Sequence, residues 1–129
     1  GLNTLGLSLN DLTGEIPTQL FTMSGLHSIY LSNNNLSGEI PTNIGDLEVL
    51  AIIYLNNNNL SGTIPSSIGN LTNLNILNLK NNQLSGVVPG EICNVDNATI
   101  SLDNNKLCPS YPSCLTEDEI GTQDTSGCN

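Results

Sequence analysis

The segments Asn33–Pro41, NNNLSGEIP, and Asn57–Pro65, NNNLSGTIP, differ at one position and stand 24 residues apart. The interval continues in both directions. Asn10, Asn34, Asn58 and Asn82 keep it, as do Gly14, Gly38, Gly62 and Gly86, and then Pro17, Pro41, Pro65 and Pro89. Units open at Leu2, Leu26, Leu50 and Leu74 and read L-x-x-L-x-L-x-x-N-x-L-x-G-x-I-P-x-x-L/I-x-x-L-x-x, with Ile29, Met23 and Val95 as apolar variants. A fifth unit starts one residue early, at Asn97, and carries Ile100, Leu102, Asn105 and Leu107 before Cys108 and Pro109 replace the Ser/Thr–Gly pair. Self-similarity at a period of ~20 to ~50 residues marks a solenoid, whose units stack to bury an apolar face that none can bury alone.

Each position of the unit has a physical task. The L-x-L stretch alternates apolar and polar side chains, which predicts a short strand with one face inward. The Asn ladder Asn10, Asn34, Asn58, Asn82 and Asn105 sits where the strand ends and the chain turns in. An amide there offers donors and an acceptor to turn backbone that would otherwise be buried unpaired. The glycine permits a conformation or an approach that a Cβ would block. Ile–Pro predicts a second short extended piece, ended where proline fixes φ and removes a donor. The remaining P-x-x-I-G-x-L-x-x-L crosses the outer side as 3₁₀ turns. The expected fold is a curved solenoid with a parallel sheet on its concave face: repeats over 1–107, in units starting near 2, 26, 50, 74 and 97, and a cysteine-containing cap over 108–129.

Composition narrows the partners. Twelve acidic residues face two basic ones, for a formal net charge of -10. Nucleic acid is excluded as a partner because phosphate binding needs clustered Lys and Arg, and an anionic membrane surface fails for the same reason. No apolar run approaches the ~18 residues of a membrane-spanning helix. Catalysis finds no nucleophile–base pair, since the single histidine, His27, has no cysteine near it in sequence or register. No metal site and no cofactor are expected: there is no C-x-x-C, and acidic residues do not recur at calcium-ligand spacing.

Cys93, Cys108, Cys114 and Cys128 crowd the last 37 residues, which predicts two local disulfides and an oxidising compartment. When Asn105, Leu107 and Pro112 are set on the repeat, Tyr111 falls in the Ile slot and Leu115 in the next Leu slot. Cys93 and Cys114 then meet across neighbouring coils roughly 5 Å apart, favouring Cys93–Cys114 with Cys108–Cys128. Thr116 to Glu119, TEDE, matches the capping-box pattern and predicts a short helical turn over the last leucines.

The unit resembles the plant-type extracellular leucine-rich repeat of receptor-kinase ectodomains and polygalacturonase-inhibiting proteins, over residues 2 to about 115. The resemblance implies a right-handed solenoid, extracellular or cell-surface display, and binding rather than catalysis. It also implies that NNKLCPSYPSC is the cap that closes such arrays, with a small Cys108–Cys114 loop in place of the register pairing. The cysteine-bearing N-terminal cap of plant members has no counterpart ahead of Leu2, which leaves the first apolar edge available for self-association.

Equivalent residues in successive units are neighbours across the sheet, so the exposed face reads in columns. One runs Gly6, Tyr30, Tyr54, Asn78, Ser101, and beside it run Thr4, Ser28, Ile52, Ile76 and Thr99. His27 lies toward the strand starts and Lys80 toward the strand ends. Tyr30, Tyr54, Ile52, Ile76, His27 and Lys80 are therefore the candidate partner-binding residues for a protein or peptide ligand, although stacked Tyr and Ile also stabilise a sheet by packing alone. A structural or self-assembling repeat segment is the alternative. Ice or carbohydrate binding, by the column Asn33, Asn57, Asn81, Asn104, ranks last. Asn35, Asn59, Asn70 and Asn97 open N-x-S/T sequons, three of them at positions that the repeat fills with Asn, Ser or Thr in any case.

Overall fold

In the computed structural model, which describes residues 2–129, the strands Thr4–Gly6 (β1), Ser28–Tyr30 (β3), Ile52–Tyr54 (β5), Ile76–Asn78 (β7) and Thr99–Ser101 (β9) form one parallel sheet in that order. Their register repeats the sequence period: Tyr30 pairs with Gly6 on one side and Tyr54 on the other. The step from Ile76 to Thr99 is one residue short, matching the early start of the fifth unit. On the outer side each of the first four coils makes one 3₁₀ turn, Thr18–Thr22, Thr42–Asp46, Ser66–Asn70 and Gly90–Asn94.

The second extended piece falls earlier than the Ile–Pro pair. It occupies Thr13–Glu15 (β2), Asn35–Glu39 (β4) and Asn59–Ser61 (β6) in one sheet, and Ser85–Val87 (β8) with Lys106–Cys108 (β10) in another. Pairing stops before the prolines because Pro41 and Pro65 open the 3₁₀ turns and have no N–H to give a ladder. The glycine of each unit does two things. Gly38 and Gly62 have φ of 76° and 73°, and a Cβ on either would overlap the stem of Glu15 or Glu39 from the preceding coil.

Leucine and isoleucine of every unit point into one core. Leu50, Ile53, Leu55, Leu60 and Ile68 of the third unit are at most 2% exposed. Inside the turn, the Asn58 side chain donates to the carbonyls of Leu31 and Leu55 at 3.0 and 3.1 Å and accepts from the Leu36 N–H at 3.0 Å. Asn34, Asn82 and Asn105 repeat this pattern one coil apart. Asn10 is exposed and bonds only within its own turn, to Leu7 and Ser8.

Among the described residues the exposed leucines fall in the first coil. Leu2, Leu7, Leu9 and Leu12 are between 36% and 80% exposed, Leu9 most of all. Leu9 also has φ of 59°, in the left-handed region that Asn33, Asn57, Asn81 and Asn104 occupy in later units. Asparagine tolerates that conformation and leucine does not, at a cost of about 1–2 kcal/mol per residue. Leu9→Asn is accordingly expected to raise stability by about 1 kcal/mol in urea unfolding. A loss of stability would show that the left-handed strain is not what Leu9 contributes.

The far end is closed. The cysteines pair Cys93–Cys114 and Cys108–Cys128, the pairing favoured by coil register, and no small Cys108–Cys114 loop forms. Tyr111 and Leu115 pack against the core. Thr116 caps the short helix α1 (Glu117–Ile120) with the reciprocal Glu119 bond of a capping box.

Candidate functional site

The five-stranded concave sheet displays every second residue of β3, β5 and β7. On it the rings of Tyr30 and Tyr54 stack, with centroids 5.4 Å apart and planes inclined by 13°. Strands ~4.8 Å apart make this contact unavoidable once both residues occupy the same register position. Ile52 pairs with Ile76, so two half-buried aliphatic side chains lie directly beside the tyrosines. Aromatic and aliphatic side chains thus occupy adjacent register positions on three neighbouring strands.

His27 sits at the edge of this patch. It is exposed, and its Nδ1 lies 3.1 Å from the hydroxyl of Ser28, which is itself buried. Lys80 is half-buried at the strand end, one coil beyond Asn56, and its N–H is bonded to Asn78 Oδ1. The structure does not bring Lys80 over either tyrosine ring; among the described residues no cation–ring contact occurs.

The outermost column is explained by backbone geometry. Asn33, Asn57, Asn81 and Asn104 all have φ near 58–60°. Asn81 and Asn104 also bond the side chain of the preceding rung, at 2.6 and 2.8 Å. Asparagine at these positions therefore serves the turn, whatever else it meets. All four sequon asparagines, Asn35, Asn59, Asn70 and Asn97, are exposed.

A groove of about 490 Å³ lies on the flank, lined by Glu15, Pro17, Glu39, Pro41 and Pro65 among others. Its two carboxylates belong to the stems that cover Gly38 and Gly62, so they are packing elements of the repeat. Among the described residues no group of three or more His, Cys, Asp or Glu side chains could hold a metal ion. Among these residues no helix is long and apolar enough to cross a membrane.

Two residues gain a role that the sequence pattern hides. Gln123 supplies the last rung of the ladder: its Oε1 accepts from the Leu107 N–H at 3.0 Å and its Nε2 donates to the Leu102 carbonyl at 2.7 Å. It lies outside the period and is an amide of the wrong length, so no repeat alignment reaches it. Gly6 leaves the face of Tyr30 uncovered at the end of the aromatic column, and a glycine in a column of larger residues was its one visible signal.

The leucine-rich repeat models match residues 25–47 and 48–107. No curated protein sequence is similar to the chain at a significant level. Among solved structures, the plant peptide hormone receptor RGFR1 in complex with RGF2 is 38% identical, with a TM-score of 0.85 over 94% of this chain and 20% of the receptor chain. The ectodomain of the Arabidopsis receptor kinase HAESA, in complex with an extended IDA peptide hormone ligand, is 38% identical, with a TM-score of 0.82 over 86% of this chain and 19% of its own. A plant ice-binding protein is 33% identical, with a TM-score of 0.79, and 82% of this chain covers 35% of it. The chain thus spans about a fifth of the length of these two receptor chains. By its repeat, its parallel concave sheet and its disulfide-bonded end, the chain belongs to the leucine-rich repeat family, with units of the plant receptor type.

Proposed function

We propose that the chain is an extracellular recognition module that holds a protein or peptide segment against its concave sheet, without catalysis and without a cofactor. The observation that carries this reading is the stacked Tyr30–Tyr54 pair with Ile52 and Ile76 beside it, on the open face of a sheet. Aromatic side chains already immobilised by their neighbours lose little further freedom on binding and anchor interfaces well. Two disulfides support an oxidising, extracellular setting. The similar receptor ectodomains, solved with peptide ligands, support a peptide as occupant.

Peptides selected from a displayed random library on the immobilised domain test this. Selected clones are expected to lose about tenfold or more in affinity for the Tyr30→Ala/Tyr54→Ala variant, the scale of a hot-spot residue. They are expected to bind a Val87→Ser variant, altered at an exposed side chain away from that sheet, as tightly as the parent. Clones that ignore the tyrosines and depend on Val87 would move the site off the concave sheet.

A second reading, ice binding, has two observations for it and one against. The similarity to a plant ice-binding protein and the hydrogen-bonded column Asn57, Asn81, Asn104 support ice binding. The left-handed backbone at those positions accounts for the asparagines without it. Absence of thermal hysteresis ends that reading.

A further inference from the structure

We propose that the space over Gly6, bounded by the free face of Tyr30, is a slot for one aromatic side chain of a bound protein or peptide segment. This deepens the concave-face reading and rests on it. Tyr54 covers one face of Tyr30, with the planes 13° apart, so the opposite face is directed along the same column toward the next strand. The residue paired there is Gly6. Nothing in the fold requires glycine at that position: its φ is not in the left-handed region, and a Cβ would meet no atom within 4 Å. The consequence of glycine is open space, one strand step from an aromatic face. At the other end the stack is closed, because Tyr54 pairs with Asn78, whose Oδ1 is held by the Lys80 N–H.

The chemistry of the walls selects the occupant. Ser8 and Ser32, which flank the slot toward the strand ends, bond each other at 3.0 Å. On the other flank Ser28 is engaged with His27. A flat aromatic ring needs a parallel face and a width of about one strand spacing, ~4.8 Å, and the slot offers both. With a net charge of -10 on the chain, the segment that carries the ring is neutral or basic.

The test uses N-acetyl-tyrosine amide titrated into isotope-labelled protein, read by NMR at the Tyr30 ring and the Gly6 amide. Saturable ring-current shifts at both are expected in the millimolar range, as for a single stacked ring. Gly6→Tyr fills the slot from within. It is expected to weaken the probe by about tenfold while leaving the unfolding temperature equal or higher, since tyrosine suits a strand better than glycine. Absence of shifts at Tyr30 and Gly6, or equal shifts in Gly6→Tyr, overturns the slot. Methyl glucoside matching the aromatic probe overturns its selectivity for an aromatic ring. Selected peptides that lose binding to Tyr30→Ala/Tyr54→Ala but not to Gly6→Tyr overturn the slot and leave the concave site standing. Peptides indifferent to both variants overturn slot and site together.

Discussion

Asn58→Ala is expected to lower folding stability by about 3–4 kcal/mol, while the same change at Asn10 costs less than about 1 kcal/mol. The two residues occupy the same position of the repeat, and the difference follows from what each side chain joins. Asn58 is 7% exposed and ties the turn backbone of two neighbouring coils together. Its Oδ1 is the partner recorded for the Leu36 N–H, which alanine leaves buried and unpaired. Its Nδ2 reaches the Leu31, Leu55 and Asn56 carbonyls, and these keep a second donor, from Asn34, Asn82 and the Asn33 N–H respectively. One orphaned buried donor costs about 1–3 kcal/mol and each lost but compensated bond about 0.5 kcal/mol or a little more, which gives the sum. Asn10 is exposed and bonds only the Leu7 and Ser8 carbonyls of its own turn, and the Leu7 carbonyl keeps a donor from Asn34. Urea unfolding of both variants beside the parent measures the contrast. Equal losses would mean that the ladder acts through local turn propensity and not by joining coils. For a chain of this size, with a total stability of roughly 5–15 kcal/mol, the central rung is a large share.

This contrast shows which parts of the molecule were legible in its sequence. A period repeated at the same residues over successive coils fixes register, and register fixes which side chains touch. The Tyr30–Tyr54 contact, the Ile52–Ile76 pair and the Cys93–Cys114 bridge all follow from counting residues along stacked strands. Three features do not follow from counting. The second sheet forms at the Asn-Leu-Ser stretch, ahead of the Ile–Pro pair, because pairing depends on which N–H groups neighbouring coils present. The outer asparagine column has the composition of a display surface, yet its residues share a left-handed φ, and backbone conformation is not written in residue spacing. Gln123 replaces an asparagine only because the tail folds back along Asn105, where Asn105 and Gln123 form a parallel bridge. A long-range contact made by a non-repeating segment has no periodic signal to reveal it.

Cutting the Cys108–Cys128 bridge, as Cys108→Ser/Cys128→Ser, is expected to cost about 3 kcal/mol, from the loop closed over a separation of 20 residues. The more telling effect is local. Between the two cysteines the chain lays an imitation of a further coil against the last repeat: the Leu102 N–H bonds the Glu119 carbonyl and the Asn104 N–H bonds the Thr122 carbonyl, each at 2.8 Å. The Asp124 N–H returns a bond to Asn105 at 2.9 Å, and the Gln123 amide fills the rung between. The bridge tethers the last of these residues beside β10, so its loss frees the imitation coil to detach while the repeats stay folded. Hydrogen exchange should then show the Leu102, Asn104 and Leu107 amides losing protection well before the Leu55 amide at the middle of the array. Gln123→Ala should move the Leu107 amide in the same direction with the bridge intact, since it removes that donor's recorded partner. If the end amides and the central amide lose protection together in both variants, the array unfolds as one unit and the tail is no separable cap. If the end amides alone respond, the closure of this solenoid is made by a short tail that supplies backbone acceptors and one amide, and the bridge acts by holding that tail in register.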